Sequence, residues 1–243
     1  MKRLAFVIFI AILGVGGSFI EPLLGLLVYQ WFSFASPVEL VWGALDGSRL
    51  SMIVAVAVFI STFQRYKTLF VMHPITYCML TYLLVSVMSL AVNPVYSLQY
   101  AAGEVSLLAT LIATSLIIPV VADTIPRIRL VIVSIAISGG LLGSYYGLFG
   151  LVVGSRQIMG PGRIGDNNGY AVLLVSLMPL VAYCMKHGIY AKHKIISRIF
   201  YKVIFLGLLV AAMLTFSRGG FLAMFAVLFL MAVTTRDAKA KAF

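Results

Sequence analysis

No charged side chain stands between Leu4 and Ile20, and eight further apolar runs follow, over 22–36, 50–64, 72–92, 100–121, 130–153, 168–185, 199–216 and 219–235. Across all nine, only Glu104 and Lys202 carry charge. Runs of this length match the roughly 20 residues of helix needed to cross a bilayer. They are continuously apolar rather than alternating, which excludes a barrel, and in hydrocarbon a helix pairs all of its own backbone. With 62% hydrophobic and 10% charged residues, the chain has far more apolar surface than a water-soluble domain can bury. The sequence therefore predicts an all-α fold, a polytopic transmembrane helical bundle of about eight or nine spans, forming a single transmembrane domain over 1–243. Met1-Lys2-Arg3 ahead of Leu4–Ile20 imitates a secretory signal, but the runs that follow make it an uncleaved anchor. Cys78 and Cys184 both lie inside apolar runs, as small core residues rather than a disulfide or metal pair.

Charge orients the bundle, because Lys and Arg in short loops stay on the cytoplasmic side. The sizeable loop predicted over Lys186–Lys202 carries Lys186, Lys192, Lys194, Arg198 and Lys202. Placing it inside also places inside Arg65, Lys67, Arg127, Arg129, Arg236, Lys239 and Lys241, twelve cations in all, against Arg49, Arg156, Arg163 and Arg218 outside. Two full crossings in the first 36 residues put Lys2 and Arg3 outside. Either 22–36 is a short re-entrant segment or the N-terminus breaks the rule. The net charge of +11 follows from topology and anionic membrane lipid, and nucleic-acid binding gains no support from it. Gly139, Gly143 and Gly147 recur every fourth residue, with Gly150 and Gly154 repeating the spacing on a neighbouring face; such small residues let helix backbones approach closely.

The outer face carries the informative residues. Gly160-Pro161-Gly162-Arg163-Ile164-Gly165-Asp166-Asn167-Asn168-Gly169 is rich in turn formers and directly precedes an apolar helix. Asp166, Asn167 and Asn168 are helix-capping types there, and Arg163 is placed to reach lipid headgroups. Thr215-Phe216-Ser217-Arg218-Gly219-Gly220 is a polar break between two apolar runs, too short for an ordinary solvated loop. Broken backbone near membrane depth is tolerated only beside protein or a water-filled cavity, so this break is expected to line a cleft. An arginine in that setting is a functional candidate by default.

At these two stretches the sequence resembles the O-antigen ligase and polymerase family, the Wzy/WaaL-type bacterial membrane glycosyltransferases. Ser217-Arg218-Gly219-Gly220 before an apolar helix resembles that family's Ser-Arg-Gly signature, and the segment from Gly162 to Asn168 resembles its upstream Arg and Asn motif. Gly25–Phe34, Leu40–Gly43, Met52–Ala55 and Gly165–Asn168 are most similar to the probable O-glycosylation ligases associated with exosortase A.

The resemblance implies an enzyme of the bacterial inner membrane with its active face toward the periplasm. It would move a glycan from undecaprenyl pyrophosphate to a hydroxyl of a polysaccharide, lipid or protein acceptor, inverting the anomeric carbon without a metal or other cofactor. Charge develops on the departing diphosphate. Guanidinium groups suit it because they are permanently charged and bind phosphate oxygens in pairs. Arg163 and Arg218 match the family's two arginines for that task, with Ser217, Asp166, Asn167, Asn168 and Arg156 as substrate-binding candidates.

Members of the family are longer, carrying a large periplasmic loop with a histidine or acidic residue that activates the acceptor. Against that pattern the chain reads as the N-terminal part of a longer architecture or as a degenerate paralogue. His73, His187 and His193, its three histidines, fall near the inner face by charge counting. Asp166 stands beside Arg163, and a carboxylate paired with an arginine is a poor base. Glu104, within a span near its outer end, is the better candidate. Two other classes compete. A transporter of lipid-linked sugars also accounts for Pro119 and Pro179 inside spans, yet transporters place polar residues at the midplane of two related halves, and no repeat is seen here. A non-catalytic scaffold predicts that the arginines are dispensable.

Overall fold

The computed structural model describes residues 2–35, 37, 50–92, 98–154, 166–187 and 194–240. Among them the regular structure is helical throughout: α1 (Lys2–Ile20), α2 (Pro22–Ala35), α3 (Leu50–Tyr66), α4 (Pro74–Val92), α5 (Leu98–Val121), α6 (Ile125–Val153), α7 (Asn167–His187), α8 (Lys194–Leu214) and α9 (Arg218–Ala240). Among the described residues four segments are long and apolar enough to cross a membrane: Arg3–Ile20, Ile125–Val153, Asn167–His187 and Ile195–Leu214. The apolar stretches of the other helices are shorter, and that of α2, 14 residues, is about 21 Å long against a hydrocarbon core of about 30 Å.

The chain divides into two compact units, one of Met1–Tyr29 with Gly47–Ile128 and one of Gln30–Asp46 with Arg129–Phe243. In the first, α1 and α2 form an antiparallel pair that turns at Glu21. A side chain placed at Gly14 would sit 2.6 Å from Val28, one at Gly17 would sit 3.4 Å from Leu24, and Gly25 lies against Ser18. The turn is tight because Pro22 opens α2, where a missing N–H is harmless and φ is already helical. Val54 and Val58 of α3 pack against the same glycines, and α3 contacts both α1 and α5. Thr114 of α5 donates to the Tyr29 hydroxyl at 3.3 Å. Helix α4 rests on α5 and exposes apolar side chains around most of its surface, including Ile75, Tyr82, Leu84 and Met88. Cys78 is exposed there, which corrects its expected place in the core; Cys184 is buried.

One end of this unit is closed by ions. Arg65 Nη1, on the last turn of α3, lies 2.8 Å from Glu21 Oε2 and donates to the Ile20 carbonyl at 3.0 Å. Arg127 Nη2 lies 3.4 Å from Glu21 Oε1, an ionic contact without hydrogen-bond geometry. Its Nη1 reaches the Tyr66 hydroxyl at 2.7 Å, the Val121 carbonyl at 3.2 Å and Asp123 at 3.3 Å. Two guanidinium groups thus hold the C-terminal ends of α1, α3 and α5, where helix dipoles are negative and carbonyls lack partners. This arrangement also bears on the two alternatives for the first 36 residues. With its C-terminus beside Arg65, α1 runs parallel to α3, so Lys2 and Arg3 lie at the end of this unit opposite its arginine cluster.

In the second unit α7 is central, packing against both α8 and α9. Tyr170, Leu174, Met178, Val181 and Cys184 recur along it at three- and four-residue intervals and are fully buried. The glycines of α6 admit neighbouring helices: Gly143 faces Leu174 and Leu208, Gly140 faces Ile204, and Gly147 lies against the backbone of Gly207 and Ala211. Gly154 does not extend that stripe. It follows the last turn of α6 with a φ of 69°, a left-handed terminating residue with open space around it. The loop expected over 186–202 is also shorter than predicted. Helix α8 already starts at Lys194, because Lys194, Arg198 and Lys202 recur every fourth residue along one stripe while Ser197, Tyr201 and Ile204 turn into the protein.

Candidate functional site

Two breaks in the second unit meet. Helix α7 starts at Asn167, and its cap is Asp166, whose Oδ1 accepts from the backbone N–H of Asn168 at 2.5 Å and of Gly169 at 2.9 Å. One carboxylate thereby satisfies two of the donors that a helix start leaves unpaired. Asn167 and Asn168 were expected as further caps. They lie one and two residues inside the helix, and their side chains are spent elsewhere.

The second break joins α8 to α9. Thr215 is fully buried, bonded through its hydroxyl to the Ala212 carbonyl at 2.7 Å. Phe216 then turns the chain with a φ of 50°, a left-handed conformation that favours glycine and costs a phenylalanine about 1–2 kcal/mol. Its side chain is 64% exposed. Ser217, 4% exposed, caps α9 by accepting from Gly220 N–H at 3.0 Å. Arg218 is the first residue of α9 and is exposed.

Hydrogen bonds tie the two breaks together. Asn167 Nδ2 donates to the Thr215 carbonyl at 3.1 Å, filling an acceptor left over where α8 ends. The Ser217 hydroxyl donates to Asn168 Oδ1 at 2.7 Å. A side chain at Gly220 would collide with Ala171, so the first turns of α7 and α9 approach as closely as a glycine allows. At Gly219 nothing stands within 4 Å. Of the double glycine after Arg218, only the second is required by packing.

Five of the residues singled out in the sequence are thus brought together: Asp166, Asn167, Asn168, Ser217 and Arg218. Arg156 and Arg163 lie outside the described residues. Glu104 lies near the start of α5, in the first unit, and its side chain is likewise outside the described residues. Sequence reasoning missed Thr215, whose carbonyl and hydroxyl anchor the break, and Tyr170, one turn into α7. The Tyr170 ring is buried edge-on to Tyr146, and its hydroxyl has no hydrogen-bond partner among the described residues. Tyr145, by contrast, is exposed and stacks on Phe149.

The junction carries one charge of each sign. The Asp166 carboxylate caps the start of α7, while the start of α9, capped by the neutral Ser217, keeps its partial positive charge beside the Arg218 guanidinium. Among the described residues Arg218 has no hydrogen-bond or ion-pair partner, and Asp166 is engaged with backbone N–H groups. Such an arrangement favours an anion. Among the described residues no cluster of three or more His, Cys, Asp or Glu side chains is placed to hold a metal ion. No protein-family model, no curated protein and no solved structure matches this chain.

Proposed function

We propose that this chain is a polytopic inner-membrane protein of eight or nine spans that binds the diphosphate of an undecaprenyl-linked glycan at the periplasmic face. In this reading it acts as a glycosyltransferase of the O-antigen ligase type, passing the glycan to an acceptor hydroxyl. Arg218, with Arg163, neutralises the charge that grows on the diphosphate as the bond to the anomeric carbon breaks. Glu104 is the candidate to take the acceptor's proton, and Arg156 a candidate to hold the donor.

The observation that carries the reading is the junction of α7 and α9. A permanently charged guanidinium, without a partner among the described residues, stands on the first turn of α9, which is tied to the first turn of α7. A scaffold has no need of such a group. Within the charge-counted topology, α7 and α9 both begin on the outer face, where a lipid-linked donor presents its sugar.

Replacing Arg218 by Lys and by Ala in the full-length protein tests this in native membranes. Lysine keeps the charge but loses the planar fork, so Arg218→Lys is expected to lower glycan transfer roughly a hundredfold and Arg218→Ala further. Wild-type transfer by both variants refutes the diphosphate role and leaves the scaffold.

A further inference from the structure

Arg218 is exposed, but two of the three residues before it are not. Thr215 and Ser217 are buried, and between them Phe216 holds a left-handed conformation that it would not adopt unaided. What fixes the start of α9, and with it the origin of the Arg218 side chain, is therefore the bonding of the break. The Ser217 oxygen already accepts from Gly220 N–H, so its own proton must go to an acceptor. That acceptor is the amide oxygen of Asn168, at 2.7 Å. Asn167 holds the preceding carbonyl in the same way.

We infer that Asn168 is a positioning residue for Arg218: it acts as a hydrogen-bond acceptor, through Ser217, on the first turn of α9, and does not itself hold the anion. This rests on the reading of Arg218 as a diphosphate ligand. It differs from the sequence-based expectation, which made Asn168 and Ser217 substrate-binding residues. An anion is held by donors, whereas the bond seen here uses the acceptor end of the amide. The two roles call for opposite ends of one side chain and can be separated.

Two measurements on the purified full chain in lipid nanodiscs decide it. The first is the distance between spin labels at positions 199 and 218, with Cys78→Ser and Cys184→Ala removing the native thiols; Ile199 is exposed on α8. Asn168→Ala is expected to broaden and shift the distance distribution, while Asn168→Asp, which keeps an acceptor, leaves it as in the parent. An unchanged distribution in Asn168→Ala overturns the inference, and so does an Asp variant as disordered as the Ala variant.

The second is the affinity for inorganic pyrophosphate in a double-mutant cycle. Asn168→Ala is expected to weaken binding roughly tenfold, the worth of one hydrogen bond. In an Arg218→Ala background the same change should have no further effect, because Asn168 acts only through the arginine. Equal losses in both backgrounds mean that Asn168 touches the anion, and overturn the inference. A parent that does not bind pyrophosphate refutes the diphosphate reading instead, and the spin-label distances still decide whether Asn168 positions residue 218.

Discussion

In the first unit the polar side chains gather where helices end; in the second they gather where helices begin. Around Glu21 the charges answer one another: two arginines, two carboxylates, a tyrosine hydroxyl and the carbonyls of Ile20 and Val121 form a closed set. Around Ser217 the bonding groups are neutral except for the Asp166 cap, and the one arginine stands outside the network. Cations at helix C-termini neutralise the dipole, whereas a cation at a helix N-terminus adds to it. The first arrangement stabilises a fold. The second, where Arg218 has no partner among the described residues, gains nothing of that kind from its arginine, which is how it differs from a clasp.

If the contrast is sound, the clasp should be the costlier to break. Arg127→Ala removes bonds to three elements from a side chain mostly out of solvent, and is expected to lower unfolding free energy in mixed micelles by about 2–3 kcal/mol. Arg65, whose side chain is nearly half exposed, should contribute less than about 1 kcal/mol by the same measurement. The reverse order would mean that the cluster is not organised around Arg127. At the junction, Gly220→Ala drives a methyl group into Ala171, with an expected loss of about 1–2 kcal/mol, while Gly219→Ala should be neutral or slightly stabilising. Equal effects would show that the first turns of α7 and α9 are not in contact. Arg218→Ala should also stay within about 0.5 kcal/mol of the parent in stability, because no partner among the described residues is lost. A large destabilisation there would make Arg218 another structural ion and dissolve the contrast.

Much of the helical layout was legible in the sequence. In a chain this apolar most polar interruptions mark a helix end, and the helices start and stop within a few residues of the runs, except at the starts of α6 and α8 and at the end of α9, which runs on to Ala240. Helices α6 and α8 start earlier, over Ile125–Leu130 and Lys194–Ile199, because Arg127 and the cations of α8 lie on helix rather than loop. At the site, Asp166 as a cap and the break at Ser217 could be read locally, since capping is a matter of neighbouring residues. The bonds from Asn167 to Thr215 and from Asn168 to Ser217 could not, because they join positions 48 and 49 residues apart. Asparagine next to aspartate at a helix start looks like one more capping residue until the partner helix is seen. Glu21 was overlooked for the same reason: a lone carboxylate before Pro22 reads as a turn, and its arginines lie far along the chain.

That distance has a consequence for how the molecule is made. The α1 and α2 hairpin, with Glu21 at its turn, is translated before either of the arginines that hold that carboxylate in the folded unit. Arg65 arrives only after α3 has been synthesised, and Arg127 only after α5. Until then the turn carries a carboxylate without either counter-ion. The set is complete when the chain has been translated as far as Arg127 and the last of the counter-ions closes over the turn.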